Sequence, residues 1–131
     1  MATDEFTIEH GLPLGKGVDA EMQYDVKLRT LTTGDVIDAR VAAEKVIFAP
    51  DPDSPEITKA ITVVSDVTMG LELLRRQIAS VGEIHGPLEM FQLRKFHPDD
   101  FETINQRAEL LDKATQVAEK RGRMEKSISN S

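Results

Sequence analysis

The chain has 131 residues, with 23 acidic and 16 Lys or Arg side chains and a formal net charge of −7. This length provides the core of about one domain, and an apolar content of 40% suits a folded globule rather than a disordered chain. The acidic balance argues against generic nucleic-acid binding, and the absence of Cys excludes disulfides, Cys-type zinc sites and thiol nucleophiles.

The first residues, 1–21, are expected to form an acidic, flexible arm. Lys16 is their one basic residue, and the stretch 11–17 contains three glycines and a proline, which favours an open loop. The acidic start lacks the apolar region of a signal peptide. Because no run of about 18 apolar residues occurs, we expect no membrane span and no membrane partner.

A strand and a helix are predicted next. Residues 22–29 alternate apolar and polar side chains, as a half-buried strand does. Thr32 and Asp35 have the spacing of a capping box, in which each residue satisfies a free backbone N–H at a helix start. Apolar residues then follow at helical spacing from Val36 to Val46, which predicts a helix over about 34–46.

The middle of the chain combines a loop with an ambiguous segment. Residues 49–56 contain three of the six prolines, so they are predicted to form a loop. The following segment, 57–64, is rich in β-branched residues and fits either a second strand or the entry to a helix.

Three helices are predicted in the second half. The strongest pattern covers residues 67–81, where apolar side chains form a narrow row and Gly82 is placed to end the helix in the left-handed conformation. A turn at 82–87 and a short helix over 88–96 follow. Pro98 can occupy the first position of a last helix over about 98–120.

These elements predict a small α+β fold that is mainly α, with one or two N-terminal strands and three to four helices. The predicted organisation is an acidic flexible arm at 1–21, a single folded helical domain at 22–118 and a mobile basic tail at 119–131.

The most chemically suggestive residues are His97, Asp99 and Asp100. A histidine beside two carboxylates suits a small acid–base hydrolase or part of a metal site. The same residues also fit a plain helix start, in which the acids complement the positive end of the helix dipole. His97-Pro98-Asp99 is also the signature tripeptide of J-domain co-chaperones, although a J-domain has a loop after it.

A second apolar face on the last helix indicates an interaction surface rather than a catalytic site. Leu110, Ala114 and Val117 are spaced as i, i+4 and i+7, roughly opposite the row that begins at Phe101. Leu73 likewise lies off the main row of its helix. Two explanations stay open: contact with a partner or a second copy, and burial within the chain's own core.

Two segments together resemble the tail assembly chaperone family of contractile-tailed, Mu-like phages and prophages. They are VKLRTLTTGD at 26–35 and MGLELLRRQI at 69–78, the second continuing through 86–93 to the helix at 98–101. The resemblance covers most of residues 22–115. It does not extend to the proline-rich insert at 50–56 or to the basic tail.

The resemblance implies a role in assembly without catalysis or cofactor. Such proteins bind the tape measure protein, keep it soluble, help to recruit tail tube protein, and are absent from the finished tail. They act in the cytoplasm of the bacterial host, and the family often makes a longer, frameshifted form, which is a further partner. Leu73, Leu110, Ala114 and Val117 are the expected contact residues. The alternatives are a structural tail or baseplate subunit, a small His/Asp enzyme and a J-like co-chaperone.

Overall fold

A computed structural model describes the backbone of residues 2–129 and the side chains of residues 2–115. The chain divides into a first unit, residues 1–30 with 74–131, and a second unit, residues 31–73. The described elements, in chain order, are β1 (Thr3–Leu14), a short 3-10 helix (Gly17–Asp19), β2 (Glu21–Arg29), α1 (Thr33–Ala43), β3 (Glu44–Pro50), β4 (Thr58–Val64), α2 (Asp66–Gln77), β5 (Ile78–Val81), β6 (Ile84–His85), α3 (Met90–Leu93) and α4 (Pro98–Ser129).

The first unit is built on an antiparallel sheet with strand order β1-β2-β5-β6. The predicted strand at 22–29 is confirmed as β2, where Val26 and Leu28 are buried while Met22 and Tyr24 stay partly exposed. Burying the inner face of this sheet against helices removes apolar surface from water and supplies the core. The other buried apolar residues of this unit are Ile8, Leu12, Leu74, Ile78, Val81, Ile84, Leu88, Leu93, Phe96, Ile104, Ala108 and Leu111.

Strand β1 contains a bulge of four residues. Its pairing with β2 stops at Thr7, opposite Asp25, and resumes at Leu12, opposite Gln23, so residues 8–11 loop out of the ladder. Gly11 makes this path possible, since its φ of +88° lies where side chains are strained and an added Cβ would sit 2.9 Å from the Tyr24 ring. Residues expected to form a flexible arm thus form the longest strand of the sheet.

The second unit contains α1, the β3–β4 hairpin and most of α2. The predicted capping box is confirmed: the Asp35 N–H donates to the Thr32 hydroxyl, and the Thr32 N–H donates to the Asp35 carboxylate. Helix α1 ends at Ala43, three residues earlier than predicted, because the chain pairs with β4 from Glu44 onward. The open question at 57–64 is settled in favour of a strand.

The expectation of a mainly α fold is wrong, because the described residues form two sheets as well as helices. The row predicted as one helix over 67–81 is divided: α2 ends at Gln77, and Ile78 begins β5. Here burial between two neighbouring strands outweighs helical spacing. Gly82, with a φ of +57°, lies in the turn between β5 and β6 and does not end a helix.

The last helices begin close to their predicted positions. Helix α3 is shorter than the predicted segment 88–96, whereas α4 begins at Pro98 as predicted. The side chains of residues 116–131 lie outside the described set, so the expected mobile tail at 119–131 and its boundary with the folded domain stay predictions. Among the described helices, none has both the length and the apolar character that crossing a bilayer requires.

Candidate partner-binding surface on α4

One face of α4 belongs to the core of the first unit. Ile104, Ala108 and Leu111 follow one another at helical spacing, and all three are buried. These residues continue the row that begins at Phe101 in the sequence. The main role of this face is therefore to stabilise the fold.

A different face of the same helix carries exposed apolar side chains. Leu110 is 61% exposed and Ala114 is exposed one turn later. Both line a shallow groove of about 310 Å³, together with Thr3, Asp4, Arg107 and the largely buried Leu111. The groove runs between α4 and the start of β1, and its apolar floor beside a charged wall makes it the candidate binding surface.

The charged wall of the groove is an ion pair between Arg107 and Asp4. Arg107 donates two hydrogen bonds to Asp4, from Nε to Oδ2 at 2.8 Å and from Nη2 to Oδ1 at 2.9 Å. Its guanidinium carbon also lies 4.8 Å from the centre of the Phe6 ring. This bidentate, stacked arrangement uses the planar fork that Arg has and Lys lacks, and it fixes β1 against α4.

We expect Arg107→Lys to lower the free energy of unfolding by at most about 1 kcal/mol, because the ion pair is partly exposed to water. Urea unfolding of the wild type and of Arg107→Lys, each with and without Asp4→Asn, measures the coupling free energy between residues 4 and 107. This coupling should be smaller when Lys replaces Arg107. Equal coupling with either residue would show that the fork geometry of Arg contributes nothing.

Asp100 positions the start of α4. Asp100 is 2% exposed, and its carboxylate accepts hydrogen bonds from the backbone N–H groups of Glu9, His10 and Gly11, at 3.0–3.3 Å. In the β1 bulge these backbone N–H groups do not pair with β2, and the one carboxylate of Asp100 accepts their hydrogen bonds instead. The arrangement sets the distance between α4 and β1 and thereby shapes the groove.

His10 and His97 stack face to face above Asp99, with ring centres 3.7 Å apart. Asp99 Oδ2 lies 3.8 Å from His10 Nε2 and 3.7 Å from His97 Nδ1. His10 could not be predicted as a neighbour of His97, because it lies 87 positions away in the sequence and only the β1 bulge brings it to this place. No local signal in the sequence marks this pairing.

This cluster fits a helix start better than a metal or catalytic centre. His97 Nδ1 already accepts a hydrogen bond from the Asp99 N–H at 3.1 Å, and the positive end of α4 disfavours a cation. The oxygens of Asp100 are engaged by backbone amides, which disfavours a catalytic role. Pro98 is the first residue of α4, so the loop that follows the tripeptide in a J-domain does not occur here.

The four expected contact residues have different outcomes. The structure brings Leu110 and Ala114 together in the groove. Leu73 is half-buried in α2 and belongs to the second unit, and the side chain of Val117 lies outside the described set. Sequence reasoning missed Thr3, Asp4 and Arg107 as neighbours of this surface, because their approach depends on how β1 pairs.

Residues 8–123 match the model of a protein family described as tail assembly protein gp41. The chain is 46% identical to the probable tail assembly protein gp41 of Escherichia phage Mu over 119 residues, which are 89% of this chain and 78% of that protein. It is 49% identical to the probable tail assembly protein FS-gp41 of the same phage over 107 residues, covering 82% of this chain and 53% of that protein.

A third relative is the Mu-like prophage FluMu protein gp41 of Haemophilus influenzae. It is 42% identical over 120 residues, which are 90% of this chain and 86% of that protein. No solved structure matches the chain.

Proposed function

Since this chain belongs to the tail assembly protein gp41 family, we propose that it is a tail assembly chaperone that binds the tape measure protein. It keeps that protein soluble and assists assembly of the tail tube, without catalysing a reaction. The observation that carries the proposal is the exposed pair Leu110 and Ala114, on a helix whose core contacts are already made by other residues.

The shape of the α4 groove suits a temporary contact. A long tape measure helix exposes apolar rows that aggregate until the tube surrounds them. A shallow groove covers part of such a row and releases it again, since small interfaces are typical of transient complexes. The net charge of −7 adds repulsion between complexes and so opposes their aggregation.

The proposed partners are the tape measure protein, the tail tube protein and a longer form of this chain. The relatives in phage Mu support the last of these. Two Mu tail assembly proteins match the chain, and the matched segment makes up 78% of one and 53% of the other. We therefore include a longer product that shares this segment, and a second copy of the chain, among the partners.

The chaperone acts in the host cytoplasm and is absent from the mature particle, whereas a structural tail or baseplate subunit stays in it. Mass spectrometry distinguishes these two functions. Peptides of the chain should occur in lysates, together with the tape measure protein, and be missing from purified particles. Stoichiometric amounts in purified particles would contradict the proposal and support the structural subunit.

Leu110→Asp should leave the isolated protein folded and abolish binding of the tape measure protein, because it places a charge in the apolar groove. Leu110 is exposed, so the change removes little buried surface. Pull-down from a co-expressing host measures binding, and circular dichroism measures folding. Asn105→Asp is the matched control, as it adds the same charge to α4 outside the groove.

Binding and folding together show whether Leu110 belongs to the core or to the contact surface. If Leu110→Asp unfolds the protein, this face belongs to the core. If it folds and still binds as tightly as Asn105→Asp, the groove is not the contact surface.

A further inference from the structure

The second unit exposes many large apolar side chains and buries only small ones. Its buried apolar residues are Ala39 and Ala43, both on α1. On soluble proteins, a concentration of exposed apolar side chains marks an interaction site. The large apolar side chains exposed in this unit are Val36, Ile37, Val41, Val46, Ile47, Phe48, Ile57 and Val67.

The hairpin of β3 and β4 presents the largest of these side chains on one face. Val46 pairs with Thr62 and Phe48 pairs with Ala60, and successive pairs two residues apart share a face of the sheet. We call these four residues the hairpin face. Val46 is 60% exposed and Phe48 is 75% exposed, and the small side chain of Ala60 leaves the aromatic ring uncovered.

An acidic loop adjoins this face. Residues 51–57 connect the strands, and the loop is closed by backbone hydrogen bonds from Asp51 N to Ile57 O at 2.8 Å and from Ile57 N to Ser54 O at 2.9 Å. It carries three carboxylates, from Asp51, Asp53 and Glu56, and no basic residue. With two prolines also in the loop, the backbone that carries these carboxylates is restrained before any partner arrives.

The charge of the second unit indicates which kind of partner binds the hairpin face. Residues 31–73 contain eight acidic and three basic side chains, so the unit has a net charge of −5 within a chain of −7. A second copy would bring an equal negative charge to the same surface, whereas a basic partner is attracted to it. An apolar centre with a charged rim is also the usual anatomy of a protein interface.

We infer that the hairpin face docks a cationic amphipathic helix of a partner protein, with Phe48 as the apolar anchor and the loop carboxylates facing Lys or Arg side chains. This surface consists of other residues than the α4 groove, and the inference does not depend on the identity of the protein bound there. Phe48 is the expected centre of the binding energy, because exposed aromatic anchors dominate such interfaces.

The test uses the full chain and a fluorescent synthetic amphipathic helix made of Leu and Lys, with a Leu and Glu helix as its counterpart. Fluorescence anisotropy should show binding of the basic helix and none of the acidic one. Phe48→Asp should weaken binding at least about tenfold. Phe91→Asp is the matched control, because Phe91 is a similarly exposed aromatic of the first unit, 58% exposed.

The charged rim is tested separately. Asp53→Asn combined with Glu56→Gln should weaken binding and reduce its salt dependence, whereas Asp19→Asn with Glu21→Gln, an equal change of charge in the first unit, should not. Phe48→Ser repeats the anchor test without adding charge, and circular dichroism confirms that each variant is folded.

Three results would overturn the inference. The two helices could bind equally, or Phe48 and Phe91 variants could behave alike. Light scattering could instead show a dimer of the wild-type chain that Phe48→Asp dissociates, which would make a second copy the occupant. A failed peptide test leaves the Leu110 experiment unaffected, so the hairpin face and the chaperone function are judged independently.

Discussion

Asp100→Ala is expected to lower the free energy of unfolding by about 3 kcal/mol or more. The substitution removes the acceptor of the backbone N–H groups of Glu9, His10 and Gly11, of which the Gly11 bond is buried and the other two are partly buried. Each hydrogen bond to a charged group contributes about 1.5–3 kcal/mol. Urea unfolding followed by circular dichroism measures the change.

The neighbouring residue is the control for this prediction. Asp99 lies on the same helical turn and carries the same charge, but its side chain is 74% exposed. Asp99→Ala should therefore change stability by no more than about 1 kcal/mol, through the helix dipole. Similar losses for both variants would show that the carboxylate of Asp100 does not hold the β1 bulge.

Ile104→Ala is expected to lower the free energy of unfolding by about 2–5 kcal/mol, because it leaves a cavity at a fully buried position of α4. Leu110→Ala, six residues along the same helix, should change stability by less than about 0.5 kcal/mol. Binding should respond the other way, with Leu110→Ala weakening association and leaving folding intact.

Chemical unfolding and a pull-down on the same variants check this pair. The comparison tests the division of α4 into a core face and a binding face. Equal destabilisation by the two alanine variants would mean that Leu110 is buried in the folded protein. The groove would then not be a binding surface.

Local signals in the sequence predicted the local elements. The start of α1 needs only Thr32 and Asp35, which satisfy each other's backbone groups within one turn. Strand β2 follows from alternation over eight residues, and α4 follows from Pro98 and a long helical row. The exposed positions Leu110 and Ala114 came from the same helical spacing.

The errors arose where distant pairing decides the structure. Residues 78–81 continue a helical row, yet they form a strand because β2 and β6 offer backbone partners on both sides. Residues 3–14 look like a glycine-containing arm, yet they form a strand because they pair with β2 on both sides of a bulge that Asp100 closes. Long-range hydrogen bonds of this kind leave no periodic signal, so single-sequence reasoning overestimated the helical content.

The same limit applies to the candidate site. Helical spacing distinguished Leu110 from Ile104, but it could not place Asp4 beside Arg107 or His10 beside His97. The two adjacent acids at the start of α4 also look equivalent in the sequence. The fold separates them, since Asp100 is buried against β1 and Asp99 faces water.

We propose that this chain protects the tape measure protein during tail assembly. Co-expression of the full chain with the tape measure protein of the same phage, followed by size-exclusion chromatography with light scattering, tests it most directly. We expect the tape measure protein to stay soluble and to co-elute with the chain. A tape measure protein that precipitates equally with and without the chain, while the chain elutes alone, would contradict it.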